Sequence, residues 1–485
     1  MSRPSIVVIG AGLAGSLLCN ELIEYVDVTL LEVGERDRIH YPPISFDRKK
    51  LGHVNTFCFG GGGTTNLWHN GLIPIDPRDV VREDFRDVLV DARMFMDDAA
   101  ARLFFKGRFS TAHGQAVSEM TAVAEAAGIA SDGIDCLIYP KNHRPLVVDR
   151  RVRAVYSVSK IRFDVAAGEI RTVHYTVGAT SRSVDVAAVV VAAGAMGTPK
   201  ILRDIVETSG HRADALGRGF IDHPLGFVGK VRVKKAAADA IARLSSLDCG
   251  DHEVQTAIRL KSDCGRYTCG AYFRPALTID NNLAIYKYKS LLGATTGLTR
   301  LRNAASWKLF HPDIIAEVVS HVAGTRIPSH TYNILFVAEQ KPGDGRVYYD
   351  GDDLRVDWAI SREELEVYRA LLKKLSAILA TVAERVNIET MITDDWLWSG
   401  AHHSCVTPLG EAASDLVDRN LKLKLSDNVY VCDGSVIQEH SYANTGLTIA
   451  QMALRLAQQI RSRYAATTDA RAIRSMPSNA ADDRA

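Results

Sequence analysis

The stretch Ser5-Ile6-Val7-Val8-Ile9-Gly10-Ala11-Gly12-Leu13-Ala14-Gly15 decides the fold class. Ser5 to Ile9 is a short apolar run rich in β-branched residues and reads as a buried strand. Leu13 to Tyr25 spaces its apolar residues at helical intervals, and Val28 to Leu31 is a second buried strand that runs into Glu32. Gly-x-Gly-x-x-Gly sits between strand and helix, where the spacing has a physical purpose. Gly10 permits the tight turn, Gly12 lets backbone approach a pyrophosphate, and Gly15 allows close helix–strand packing. The helix start, with Leu13 and Ala14 in its first turn, offers amides to the diphosphate charge. Glu32 follows Gly15 by 17 residues and can accept hydrogen bonds from ribose hydroxyls while repelling a 2′-phosphate. The alternative is a glycine-rich turn without a ligand. The fold class is therefore α/β, built on a Rossmann-like dinucleotide-binding domain.

Around this unit the composition is ordinary and excludes several classes. The 485 residues are enough for two to four domains, at about 100–200 residues each. Lys plus Arg is 58 and Asp plus Glu is 57, so the net charge of +1 gives no generic case for a nucleic-acid or anionic-membrane partner. Hydrophobic residues at 47% and charged ones at 24% exclude bulk disorder. No run of about 18 apolar residues is present, so no membrane span is expected. Ile6 to Ile9 is too short for a secretory signal and lacks a basic preceding region. The eight cysteines are scattered with no C-x-x-C, which points to reduced thiols, no metal site and a cytoplasmic location.

Further along, residues 76–100 look helical and amphipathic, and Arg151 to Val191 alternates like strands, ending in the buried run Ala187 to Ala192. Residues 226–395 read as β-rich, with strands at Phe227 to Val233, Glu253 to Leu260, Tyr267 to Phe273 and Thr331 to Glu339. Arg346 to Tyr349 and Leu354 to Trp358 flank a hairpin turn at Asp350-Gly351-Asp352-Asp353. Ser361 is an N-cap for a long amphipathic helix to Val386. Strand returns at Val429 to Cys432 and helix at Thr445 to Ile460. The small, polar stretch 466–485 reads as a disordered tail.

A second glycine cluster, Gly60 to Gly63, is followed by Thr64, Thr65, Asn66, Trp68 and His69. Glycine is required where backbone touches a phosphate or a planar ring, and a flexible linker is the alternative. Five segments together, 10–18, 60–71, 189–202, 216–224 and 429–457, resemble the glucose–methanol–choline (GMC) oxidoreductase superfamily. The resemblance is to its His/Asn type, seen in cholesterol oxidase, pyranose oxidase and choline oxidase. It implies FAD as cofactor. Contacts are implied at Gly10, Gly12, Leu13, Ala14, Gly15 and Glu32, at Gly61, Gly62, Thr64, Thr65 and Asn66, and at Val152, Ala193, Gly194, Asp433, Gly434, Asn444 and Thr445. Leu67 occupies the position where some relatives bond FAD through histidine, so the FAD is expected to be non-covalent. The FAD domain would be discontinuous, over 1–75, 145–225 and 399–465. Residues 76–144 and 226–398 would form an α+β substrate domain on an antiparallel sheet.

The resemblance also implies the chemistry. Relatives place a histidine eight residues before the glycine of a Met-Gly or Leu-Gly pair, which here is His402 before Leu409-Gly410. The second family position is Asn444. Alcohol oxidation removes the O–H proton and passes the carbon-bound hydrogen as hydride to flavin N5. A neutral imidazole can take that proton near pH 7, and an uncharged amide can orient the oxygen without competing as a base. His402 is thus the expected general base and Asn444 its partner, with the adjacent His403 as the alternative base. His440 either lines the pocket or lies at the surface. His223, in Asp-His-Pro, is expected to fix a turn, and Trp396 and Trp398 to pack in the core or shape the pocket wall. The substrate would be a small-molecule alcohol such as a sugar, aminosugar or sterol, with O2 or another acceptor reoxidising the flavin. Two other readings stand beside this one: another flavoenzyme class, such as an amine oxidase or a monooxygenase, or a non-catalytic protein that keeps the dinucleotide fold.

Overall fold

The protein is described by a computed structural model that covers residues 3–52, 55–279, 312–313 and 329–474. Its first sheet is five-stranded and parallel, in the order Val429–Val431, Ala188–Val191, Ser5–Ile9, Asp27–Leu31, Arg153–Val155. Ser5–Ile9 (β1) lies at its centre and pairs residue for residue with Asp27–Leu31 (β2). Covered on both faces, β1 is apolar without alternation from Ile6 to Ile9, and Ile6, Val7 and Val8 are fully buried. Leu13–Leu22 (α1) joins β1 to β2 and packs against the C-terminal helix Thr445–Arg474.

The second sheet is eight-stranded, with its pairings antiparallel. Its main path runs Leu247–Asp248, His252–Lys261, Thr268–Ala276, Thr331–Val337, Pro224–Val233, Ala383–Ile388. Trp398–Ser399 pairs with Pro224–Val233, and Ile134–Pro140 with His252–Lys261. The molecule is thus a mixed α/β protein, a Rossmann-like unit beside a unit built on an antiparallel sheet. Strand Pro224–Val233 runs directly from the Asp222-His223 pair, and Trp398–Ser399 leads directly to His402. The second sheet therefore brings those two segments side by side.

Some sequence expectations shift. The amphipathic pattern from Ser361 to Val386 is two elements, not one. Ser361 caps helix Arg362–Ala380 through a reciprocal capping box with Glu364. The chain then turns and becomes strand Ala383–Ile388, pairing with the edge of Pro224–Val233. Val386 and Ile388 suit either period, and the open sheet edge decides. Residues 76–100 divide into Glu83–Ala92, a tight turn at Arg93–Phe95, and Met96–Arg102. The helix beginning at Thr445 continues to Arg474, into the stretch composition assigned to a tail, because Ala and Arg are strong helix formers. Residues 475–485 of that stretch lie outside the described residues. Helix Phe109–Ala127 and strand Ile134–Pro140 had no counterpart in the sequence reading.

Candidate active site

The glycine turn is built by close packing on two sides and is open on the third. Gly10 has φ +107°, and a Cβ there would fall 2.4 Å from the Ala192 carbonyl oxygen. A Cβ on Gly15 would fall 1.9 Å from the Gly10 oxygen. At Gly12 a Cβ would meet nothing within 4 Å. Gly10 and Gly15 thus serve the fold, whereas Gly12 faces open space at the start of α1.

Glu32 joins this turn to the second glycine cluster. Its carboxylate accepts from Ala11 N at 2.8 Å, Gly34 N at 2.8 Å and Gly60 N at 3.1 Å. Gly62 N donates to Ala11 O at 2.9 Å, and a Cβ on Gly63 would lie 3.0 Å from Gly12 Cα. Gly62 and Gly63 both hold positive φ, +85° and +51°, which glycine adopts without strain. Thr65 and Asn66, assigned to the cofactor from the sequence, turn their side chains onto the loop's own carbonyls: Thr65 Oγ1 on Gly62, Asn66 Nδ2 on Gly61 and Gly63. A cavity of about 620 Å³ adjoins the loop, lined among others by Arg36, Gly61, Gly62, Asn66, Val152 and Tyr156.

At the other side of β1, buried Asp433 ties the end of strand Val429–Val431 to the start of helix Gly194–Thr208. It accepts from Gly194 N at 2.9 Å, Thr198 Oγ1 at 2.6 Å and Ser435 N at 2.8 Å. Burial pushes its carboxyl above the usual range, and these donors oppose the shift. Gly194, at φ +71°, also faces space that a Cβ would not fill. Two helix starts with open glycines, and a cavity lined by Gly61 and Gly62 of the loop that meets the first of them, fit a dinucleotide cofactor.

The histidines are assembled from three distant segments. Asp222, fully buried, is their anchor: one oxygen accepts from His223 N at 2.7 Å and His402 N at 2.9 Å, and the other accepts from the Ser399 hydroxyl. His403 Nε2 stands 3.5 Å from that second oxygen. The rings of His402 and His223 meet through their Nδ1 atoms at 2.7 Å, and His223 Nε2 meets the Ser441 carbonyl at 2.8 Å. His440 is buried with its ring centre 3.9 Å from that of His223. Burial pushes His402 down to about 4 despite the nearby Asp222 carboxylate, and His403 and His440 down to about 3. His223 is driven well below the ordinary histidine value by burial and by its two histidine neighbours. All four rings are therefore neutral near pH 7. Ala401 (φ +61°), Cys405 (+64°) and Ser441 (+49°) hold left-handed backbone around these histidines, a strain of about 1–3 kcal/mol each that the surrounding contacts must sustain.

Asn444 lies elsewhere on the same loop. Its Nδ2 donates to Gly71 O at 3.1 Å, and it bonds none of the histidines. Trp68 packs so closely on the start of helix Thr445–Arg474 that a Cβ on Gly446 would lie 2.0 Å from its ring. The 68–71 segment and Asn444 thus form one contact, and the His402 group is joined to the same loop through Ser441. Trp398 stacks at a tilt on Phe227, 6.3 Å between centres, and Trp396 presents its carbonyl to Gly226, so both pack on the second sheet. His440 is buried rather than at the surface. The sequence reading gave His223 only a turn, and Asp222 no role. The Asp-His-Pro triplet was the available signal, but nothing in its spacing connects it to a histidine 179 positions away. Among the described residues no group of three or more His, Cys, Asp or Glu is arranged to hold a metal ion, and no helix is long and apolar enough to cross a membrane.

Comparison with known proteins agrees with this architecture. Residues 342–453 match the family model of the GMC oxidoreductases. Among solved structures, pyridoxine 4-oxidase from Mesorbium loti superposes with a TM-score of 0.60 at 15% identity, covering 95% of this chain and 99% of its own. An FAD-dependent oxidoreductase from Chaetomium thermophilum gives the same TM-score, identity and coverage. An R554A variant of formate oxidase from Aspergillus oryzae RIB40 gives 0.57 at 13%, covering 96% and 99%. No curated protein matches the chain. The 342–453 segment is thus similar to the GMC oxidoreductases, and the whole chain shares the fold of these solved structures.

Proposed function

We propose that this protein is an FAD-dependent oxidoreductase that oxidises a small-molecule alcohol to the carbonyl compound, with His402 as general base and Asn444 positioning the substrate oxygen. The observation that carries the reading is the fixed, neutral His402, anchored by Asp222 and paired with His223, in a GMC fold. FAD, when bound, supplies the hydride acceptor. Gly12, Leu13 and Ala14 at the start of α1, and Gly194 at the start of helix Gly194–Thr208, would face its phosphates and ring system. Residues 61–66 would cover it, and Val152, beside the 620 Å³ cavity, would lie against its adenosine end. Glu32 spends three contacts on backbone amides, and the lone-pair capacity left on its carboxylate would serve the ribose.

His402 accepts the hydroxyl proton as the C–H hydrogen leaves. Asn444 keeps one amide hydrogen on Gly71 O and offers the other to the developing alkoxide. The FAD domain would comprise 1–75, 145–225 and 399–465, with 76–144 and 226–398 serving the substrate. Candidate substrates are sugars, aminosugars and sterols, with O2 or another acceptor completing the cycle. Leu67 supports non-covalent FAD. All eight cysteines are free, in keeping with a reducing compartment such as the cytoplasm. Two measurements test the reading. The purified protein should be yellow and lose that colour to the supernatant on acid precipitation, and anaerobic addition of the right alcohol should bleach it. Bleaching by amines but not alcohols would overturn the assignment.

A further inference from the structure

A base must present a lone pair, and a neutral imidazole carries one on only one of its two nitrogens. The contacts around His402 determine which. Asp222, the nearest carboxylate, is bonded to the main-chain N of His402. The ring itself contacts His223, Nδ1 to Nδ1 at 2.7 Å, and its Nε2 has no hydrogen bond to any described residue. One hydrogen therefore lies between the two Nδ1 atoms, and the far side of His223 settles its owner. His223 Nε2 stands 2.8 Å from the Ser441 carbonyl, which can only accept, so that nitrogen carries a proton. A neutral His223 then has a bare Nδ1. The shared hydrogen belongs to His402 Nδ1, and His402 Nε2 is left with its lone pair.

We propose that His223 is a positioning residue that sets the tautomer of His402, using the Ser441 carbonyl as its fixed reference, so that the base presents Nε2 to the substrate. An unconstrained neutral histidine side chain favours the proton on Nε2, the wrong place for this purpose. The relay therefore works against an intrinsic preference. Ser441, with left-handed backbone (φ +49°), places its carbonyl 2.8 Å from His223 Nε2, and Asp222 holds the main-chain amides of both histidines, which fixes their segments without setting ring protonation. The proposal rests on His402 being the base, and its test separates the two.

In holoenzyme labelled with 15N-histidine, the His402 signals are identified by their loss in His402→Ala. In the unsubstituted protein Nδ1 should be the protonated nitrogen and Nε2 the bare one. His223→Leu removes the acceptor and should shift His402 towards the Nε2-protonated form, lowering kcat by about 10–100-fold with KM changed little. His223→Asn keeps an acceptor near the Nδ1 position and should recover the tautomer and most of kcat. An unsubstituted protein with Nε2 protonated overturns the proposal, as does a His223→Leu enzyme with the original tautomer and kcat. Should His223→Leu fail to fold, the unsubstituted spectrum and His223→Asn decide. Full turnover in His402→Ala, together with the expected tautomer in the unsubstituted protein, would remove the catalytic reading while leaving the positioning role intact.

Discussion

The glycine turn at 10–15 and the histidine cluster around Asp222 both hold groups in fixed positions, but they are built in opposite ways. In the first, the residues that pack, Gly10 and Gly15, and the one that faces open space, Gly12, lie within a single turn. In the second, the groups come from 222–223, 399–405 and 440–441, joined by one buried carboxylate and a chain of ring nitrogens. A turn that depends on missing side chains tolerates little substitution where they pack, at Gly10 and Gly15. A cluster that depends on hydrogen bonds between segments can lose chemistry while keeping its fold.

The sharpest test of that difference is His402→Ala, which should lower kcat by about 10²–10⁴-fold while the flavin spectrum stays unchanged. Loss of the spectrum as well would mean that the cluster also supports the cofactor site. Gly15→Ala should do the reverse. Its Cβ cannot coexist with the Gly10 carbonyl, so stability to urea should fall by roughly 2–4 kcal/mol, and no active enzyme should be recovered with bound flavin. Asp222→Ala leaves the amides of His223 and His402 and the Ser399 hydroxyl without their acceptor. At about 1–3 kcal/mol for each buried group, the urea midpoint should drop clearly, together with kcat. Gly12→Ala is the contrast to Gly15→Ala. With nothing within 4 Å, apoprotein stability should change by about 0.5 kcal/mol or less, while flavin affinity falls by about tenfold. Equal losses of stability in both glycine variants would erase the distinction drawn here.

A last test concerns pH. His402 held at about 4 and His403 and His440 at about 3 stay neutral where unfolded histidines, near 6.5, are taking up protons. The unfolded state therefore binds more protons as pH falls below 6.5, and stability should decline from there towards pH 4. Asp222, pushed up by burial, acts in the opposite direction at the acid end of that window. Urea midpoints measured between pH 4 and 7 should rise with pH. The acid limb of kcat should lie nearer pH 4 than 6.5, and a limb centred on 6.5 would show that His402 is not held neutral by its surroundings.

Much of the first sheet was legible from residue order because buried parallel strands write themselves as unbroken apolar runs, as at Ser5–Ile9 and Ala188–Val191. The strand Ala383–Ile388 was not, since its apolar spacing continues that of the preceding helix and only the free edge of Pro224–Val233 makes it a strand. In the site, Gly12 and Gly194 could be picked out by local context. Thr65 and Asn66 could be placed in the right loop but not oriented, and their side chains brace the loop itself. Glu32 was readable as an acidic residue at the end of the second strand, whereas its hold on Gly60 was not, because that contact spans 28 positions.

By itself the sequence determined the dinucleotide turn, the second glycine loop and the residue types available for proton transfer, because each depends on chain-local sterics or on the chemistry of a side chain. Only the tertiary structure decided which histidine is paired with which. It also decided that Asp222 anchors them and that the open nitrogen of His402 is Nε2, because hydrogen bonds between distant segments have no period and leave no trace in spacing.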